Sequence, residues 1–256
     1  MTKGKVGIHL IQMRVGWDAQ ENADLIARLL EGARPGDIAV TPEGSVSGYP
    51  ATGEADDLSR IETRKVYEAL NALELTAKTR GVVLRTGIVR KVGNSWCNEA
   101  VELRFGERRT YRKCNLANWE RNHFTPGMSL PTFDVGAATV GVQICRELRF
   151  AEQWLGLALT GAQVLIHLNH AAGAPRMFDV WRSMLVSRAH ETQRWVVSAN
   201  AADPHQHSPT IVVAPSGEVL LELEPHRDAA ARVELDLGAV RDDYLSQRAA
   251  LTPTRS

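Results

Sequence analysis

The chain has 256 residues, 44% of them hydrophobic, enough for one large α/β domain or two small ones with a core that needs no staples. Thirty basic and thirty acidic residues cancel, so no net field recommends nucleic acid or an anionic membrane as a partner, and the expected ligand is a small molecule. Cys97, Cys114 and Cys145 form no CxxC pair, which argues against a disulfide framework or structural zinc and for a reducing, cytoplasmic setting.

In chain order, VGIHLIQM (6–13) alternates like a strand and is too short and polar for a signal or membrane segment. Residues 18–33 carry apolar side chains at helical spacing behind Asp18, a candidate N-cap. A strand at 38–41 runs directly into Pro42-Glu43-Gly44. Residues 58–80 read as a long amphipathic helix stopped by Gly81, and strands follow at 82–89, 96–105 and 108–112, the last closed by Lys113. The segment 115–127, NLANWERNHFTPG, is irregular and rich in Trp, His, Phe and Asn, a composition suited to a pocket wall.

The second half repeats the pattern. A strand at 139–144 leads to a helix at 148–159 with Gly161 after it, then a strand at 164–169 and a helix at 178–192. Strands at 195–200, 210–214, 219–223 and 232–236 complete the chain before a polar tail. No fixed-period repeat or linker is visible, so 1–256 reads as one domain of two packed sheets with helices outside. Cys145 falls where a strand turns into a helix, a position where backbone N–H groups stabilise a thiolate or a developing oxyanion. A buried structural cysteine is the alternative there. Glu43 and Lys113 also sit at strand ends, where ligands gather in α/β sheets; alone, each reads first as a solvated charge.

Taken together, the words around these residues resemble the nitrilase, or carbon–nitrogen hydrolase, superfamily. TPEGSVSGY resembles the box around its glutamate, YRKCNL with FTPG its lysine box, and VGVQICRELRF with Glu152 its cysteine box. WRSMLVSRAHETQRWVVSAN and PSGEVL resemble its later helix–strand segment and closing hairpin. The resemblance, which covers about residues 5–240, implies a four-layer αββα sandwich that pairs into a homodimer, and a hydrolase of small amides that needs no cofactor or metal. It assigns Glu43 as general base and acid, Cys145 as nucleophile through a thioester, and Lys113 with the Arg146 backbone N–H as oxyanion holder. Glu120 takes the place of a second glutamate in the lysine loop. Tyr49, Trp119, His123, Phe124, Arg146, Asn169 and His170 are candidates for the substrate pocket. The chain departs from the pattern at Arg146 and Glu147, where many members have an aromatic residue and an aspartate, and at Ala151, where a proline is common.

Four rival readings stay in view. The same three residues also serve nitrilases and N-carbamoyl amidohydrolases, and the fold also serves a silent scaffold. A Cys-His-acid hydrolase would instead recruit His167, His170 or His190. The pair His205 and His207, in the polar stretch DPHQHSP, reads as exposed loop rather than metal site. Arg146 and Arg176 are candidates to recognise a substrate carboxylate.

Overall fold

A computed structural model describes residues 4–50, 55–104 and 106–249. The first half runs β1 (Lys5–Gln12), α1 (Ala19–Leu29), β2 (Ile38–Val40), α2 (Thr63–Arg80), β3 (Val83–Val92), β4 (Ser95–Arg104) and β5 (Glu107–Arg112). The second runs β6 (Thr132–Val135), β7 (Ala138–Ile144), α3 (Ala151–Leu159), β8 (Val164–Asn169), α4 (Met177–Thr192), β9 (Trp195–Asn200), β10 (Ile211–Val213), β11 (Val219–Glu222), β12 (Ala229–Asp236) and the single turn α5 (Asp243–Ser246). Residue 105, the expected end of the fourth strand, lies outside the described residues.

Two six-stranded mixed sheets result, ordered β12-β1-β2-β3-β4-β5 and β11-β10-β9-β8-β7-β6. In the first, β1, β2 and β3 are parallel; in the second, β7, β8 and β9 are. Parallel strands are covered on both faces, and β2, β8 and β9 are accordingly buried at every residue. Three apolar layers fill the spaces. Ile8, Leu10 and Val40 meet Val142, Ile166 and Val197 between the sheets. Ile26 of α1 and Val66 and Leu73 of α2 cover the first sheet, while Trp154 and Leu157 of α3 and Leu185 of α4 cover the second. At roughly 2 kcal/mol for each fully buried Leu, Ile or Val, these layers are what hold the sheets in register. The architecture is the αββα sandwich expected from the sequence.

Local signals explain the helix ends. The Asp18 carboxylate accepts N–H bonds from Gln20 and Glu21 to open α1. Gly81, at φ +66°, closes α2 in the left-handed region that glycine enters at no steric cost. The helix expected at 148–159 is divided: a 3₁₀ turn spans Cys145–Arg149, and α3 starts only at Ala151. Strand β6 was not expected; it is a four-residue edge strand that alternates buried and exposed residues and turns back into β7 through Gly136 at φ +61°. Among the described residues no helix is long and apolar enough to cross a membrane.

Candidate active site

Three strand ends and one loop converge between the sheets. Past β2, Thr41 keeps the ladder by donating its N–H to the Arg85 carbonyl, and its hydroxyl meets Ser45 at 2.7 Å and Thr86 at 2.9 Å. This buried triangle of hydroxyls pins the turn carrying Glu43 to β3. The Glu43 N–H donates across to the Asn169 carbonyl at the end of β8, 3.3 Å away, so the turn is tied to the second sheet as well. Gly87 of β3 lies directly beneath. A Cβ there would meet Gly44 N at 2.4 Å, Pro42 O at 2.5 Å and the Glu43 Cα at 2.7 Å. Gly87→Ala should therefore push the Glu43 turn outward, destabilise the fold by about 1–3 kcal/mol and lower turnover. Thermal unfolding and a rate assay check it, and unchanged values in both would contradict the close approach.

Lys113 follows β5 and is completely buried. Its Nζ lies 2.9 Å from Glu43 Oε1 and 2.9 Å from Glu120 Oε2. Asn98, on β4, gives its amide to the same two carboxylates, at 2.7 Å to Glu43 Oε1 and 2.8 Å to Glu120 Oε1. Glu120 also accepts from the Tyr49 hydroxyl at 3.0 Å and the Ala117 N–H at 2.6 Å, which occupies both of its oxygens. Glu43 differs: its Oε2 has no hydrogen-bond partner among the described residues. One carboxylate is saturated and the other keeps an oxygen free.

Their charges follow from that difference. Burial pushes the Glu43 carboxyl up, with Lys113 pulling the other way. Burial also works against a charge on Glu120, but Lys113, the Ala117 N–H and Asn98 outweigh it and hold the group below the usual glutamate range. For Lys113 burial opposes the charge, yet Glu120 and Glu43 together raise its pKa, so it remains an ammonium. Cys145 stands at the end of β7 with φ +46°, a conformation L residues rarely adopt. Burial and then Glu43 push its thiol well up; Lys113 and a hydrogen bond from the His170 backbone N–H pull it down. A sulfur that feels a carboxylate with a free oxygen and a permanent ammonium is equipped for proton transfer and covalent attack.

Cys145 forms the wall of a cavity of about 240 Å³ together with Tyr49, Trp119, Arg146, Arg149, His170, Met177 and Trp181. A larger hollow of about 460 Å³, over Arg90, Glu99 and Arg112, contains none of the converging residues, and the chemistry points to the smaller one. Of the pocket residues expected from sequence, Tyr49, Trp119, Arg146 and His170 line this cavity. Phe124 is buried behind Trp119, edge-on at 5.4 Å. His123 contributes its carbonyl, which accepts from the Trp96 N–H and Ser95 hydroxyl. Asn169 is buried, with its carbonyl on the Glu43 turn. Arg176 is exposed at the start of α4 and is not on the wall.

Of the three histidines of the rival triad, His170 lines the cavity with its Nε2 3.9 Å from Asp203 Oδ2, and the other two are occupied otherwise. His167 Nε2 bonds the Cys145 carbonyl, not its sulfur, at 2.9 Å, and Nδ1 meets the Ser198 hydroxyl at 2.9 Å. His190 packs edge-on against Tyr244. His207 packs edge-on against His226, and among the described residues no group of three His, Cys, Asp or Glu side chains is placed to hold a metal ion. Sequence reasoning missed Asn98, Arg149, Met177 and Trp181. The signal for Asn98 was a polar residue inside an otherwise well-formed strand.

Comparison with known proteins places this geometry. Residues 8–243 match the family model described as carbon-nitrogen hydrolase. The structure of an amidase of Nesterenkonia AN1, from the nitrilase superfamily, superposes with a TM-score of 0.81 at 25% identity, covering 98% of this chain and 96% of that one. The human deaminated glutathione amidase is 30% identical over 230 residues, 79% of this chain and 68% of that protein. The glutamine-dependent NAD(+) synthetase of Xylella fastidiosa is 30% identical over 182 residues; these are 67% of this chain but 33% of the synthetase, so the likeness spans a third of that enzyme. With a match that takes in every converging residue, the chain belongs to the carbon–nitrogen hydrolase family.

Proposed function

We propose that this hydrolase is an amidase acting on small carboxamides through a thioester at Cys145. The observation that carries the reading is the asymmetry of the two glutamates about Lys113: Glu43 keeps Oε2 unpaired while Glu120 is saturated. Glu43 Oε2 takes the thiol proton as sulfur attacks the carbonyl carbon. Lys113 Nζ and the Arg146 N–H, which opens the turn after β7, hold the oxyanion. Glu43 passes the proton to the nitrogen, the C–N bond breaks and ammonia leaves. A water, deprotonated by Glu43, then attacks the thioester, and the sulfur departs and recovers its proton. The products are a carboxylic acid and ammonia, and no external co-reactant is consumed. Glu120 holds Lys113 rather than moving a proton, since it has no oxygen to spare. Nitriles and N-carbamoyl compounds are the second reading, because both present an electrophilic carbon to the same three groups. Pairing into a homodimer is part of the proposal; Leu159 of α3 and Val180 of α4 are large apolar side chains left exposed.

The cavity wall adds a preference. Among the described residues it carries two guanidiniums, Arg146 and Arg149, and no carboxylate; Arg149 lies 5.5 Å from the centre of the Trp181 ring. An amide bearing a carboxylate at its far end fits that field better than a neutral one. An ammonia-release screen of amides, nitriles and N-carbamoyl amino acids, with Cys145→Ala as blank, tests the reaction. Turnover should appear with amides and vanish in the blank. Acidic monoamides should exceed neutral amides of equal length by about tenfold or more in kcat/KM, an advantage lost in Arg146→Met/Arg149→Met; equal rates would remove the preference while leaving the amidase reading intact.

A further inference from the structure

Glu147 is a fully buried carboxylate two residues past the nucleophile, and the reaction just described gives it nothing to do. Its surroundings are specific. Oε1 accepts from the Tyr111 hydroxyl at 2.8 Å, the Cys114 N–H at 2.7 Å and the Asn115 N–H at 3.0 Å. Oε2 accepts from the Ile144 N–H at 2.8 Å. Gln143, on β7, gives its amide to the same Tyr111 hydroxyl at 3.3 Å, so the phenol proton is directed at Glu147. The Glu147 carbonyl in turn accepts from the Trp154 indole at 2.9 Å, which fixes the turn to α3.

The donors come from two places. Cys114 and Asn115 are the peptides that follow Lys113 at the end of β5, in the first sheet; Ile144 is the peptide that precedes Cys145 at the end of β7, in the second. One carboxylate therefore bridges the segment holding the ammonium and the segment holding the thiol. Four donors and no facing acceptor are satisfied only by a group that accepts at both oxygens, which is an ionised carboxylate. Burial pushes its pKa up, and the same N–H and O–H groups pull it back.

We propose that Glu147 is a positioning residue that sets the distance of the Lys113 ammonium from the Cys145 sulfur. The inference rests on the amidase reading only in taking Lys113 to serve the transition state. An ammonium misplaced by about an ångström would spoil oxyanion stabilisation, worth about a hundredfold in rate, without altering the cavity wall that binds the ground state. Loss of Glu147 thus acts on kcat and not on KM.

Three substitutions separate this from ordinary packing. Glu147→Ala removes the bridge. Glu147→Gln keeps its length but turns an NH₂ toward at least one donor. Glu147→Asp keeps the acceptor-only charge while drawing it back by about 1.5 Å. The expected result is kcat per folded molecule down about a hundredfold in the Ala and Gln variants, KM within about threefold, and Asp recovering more activity than Gln. Leu73→Ala, in α2 under the first sheet and remote from the site, is the stability control and should retain its kcat. A second arm needs no substrate: alkylation of Cys145 by iodoacetamide, read by peptide mass, should slow about tenfold in Glu147→Gln as the thiolate loses its ammonium. Parental kcat in Glu147→Gln, a rise in KM alone, a kcat loss in Leu73→Ala equal to that of the Gln variant, or an unchanged alkylation rate would each overturn the proposal. Should no amide be hydrolysed by the parent, the amidase reading fails and the alkylation arm still decides the role of Glu147.

Discussion

Lys113→Ala should lose turnover by about a thousandfold or more and stability by about 3–5 kcal/mol. The kinetic loss follows from the proposal that the Lys113 ammonium is the charge that meets the oxyanion. The thermodynamic loss follows from what remains. Glu43 and Glu120 share Lys113 and Asn98 within a space closed to water. Without the cation, two buried carboxylates meet only neutral donors, the Asn98 amide they share and the Tyr49 hydroxyl and Ala117 N–H on Glu120, and one of them must take up a proton. Glu43, already pushed up by burial, is the one that yields, and with it goes the base. Lys113→Arg does not rescue, because a completely buried Nζ in contact with two carboxylates leaves no volume for a planar guanidinium. Ammonia release measures the first effect and urea unfolding at neutral pH the second. A Lys113→Ala protein with more than a tenth of parental kcat would show that the ammonium does not serve the transition state.

Acidification should unfold the protein through two histidines. His167 and His170 are both driven by burial from an ordinary 6.5 down to about 4. A folded-state pKa below the unfolded one means that the unfolded chain takes up the proton first. The contribution to stability is then complete above pH 6.5 and is lost as pH falls from 6.5 towards 4. The full drop is worth about 3 kcal/mol for each ring, so the two together rival the whole stability of a typical domain. The structure shows what protonation changes at His167: Nε2 already donates to the Cys145 carbonyl, so in the neutral ring Nδ1 accepts the Ser198 hydroxyl, and a second proton would turn that hydroxyl away and leave a buried charge. Glu43 and Glu147, whose carboxyls are raised in the folded state, work in the opposite direction, so the histidine effect is read as a difference between proteins. Urea midpoints from pH 7 to 4 should fall steeply for the parent and about half as steeply for His167→Asn. Parallel curves would place the acid sensitivity elsewhere.

The same residues show how far a sequence carries its own site. Glu43, Lys113 and Cys145 were legible because each closes a strand and each is surrounded by a recognisable word. Chain order alone could not place them together; the sheet topology does. Asn98 stayed hidden because its partners lie 55 and 22 residues away, beyond any periodic pattern. The loop at 115–127 lends Ala117 and Trp119 to the cavity wall, but composition does not reveal which way a ring faces: Trp119 fronts the cavity and Phe124 packs edge-on against it. Met177 and Trp181 sit on a helix whose amphipathic pattern registers only that they are apolar. The break between the turn at 145–149 and α3 was invisible because Leu148 satisfies a helical period while its backbone has not yet entered the helix. Strand β6 was lost to brevity, four residues being too few for alternation to stand out.

Cys145 belongs to one sheet, while Glu43 and Lys113 belong to the other. Nothing within either slab alone assembles the trio. Under the proposed mechanism, catalytic competence is a vernier on how the two slabs are seated: a slide too small to break a single ladder bond would already move the Cys145 sulfur away from Glu43. Secondary structure would survive such a slip intact, and chemistry would be the first thing to go.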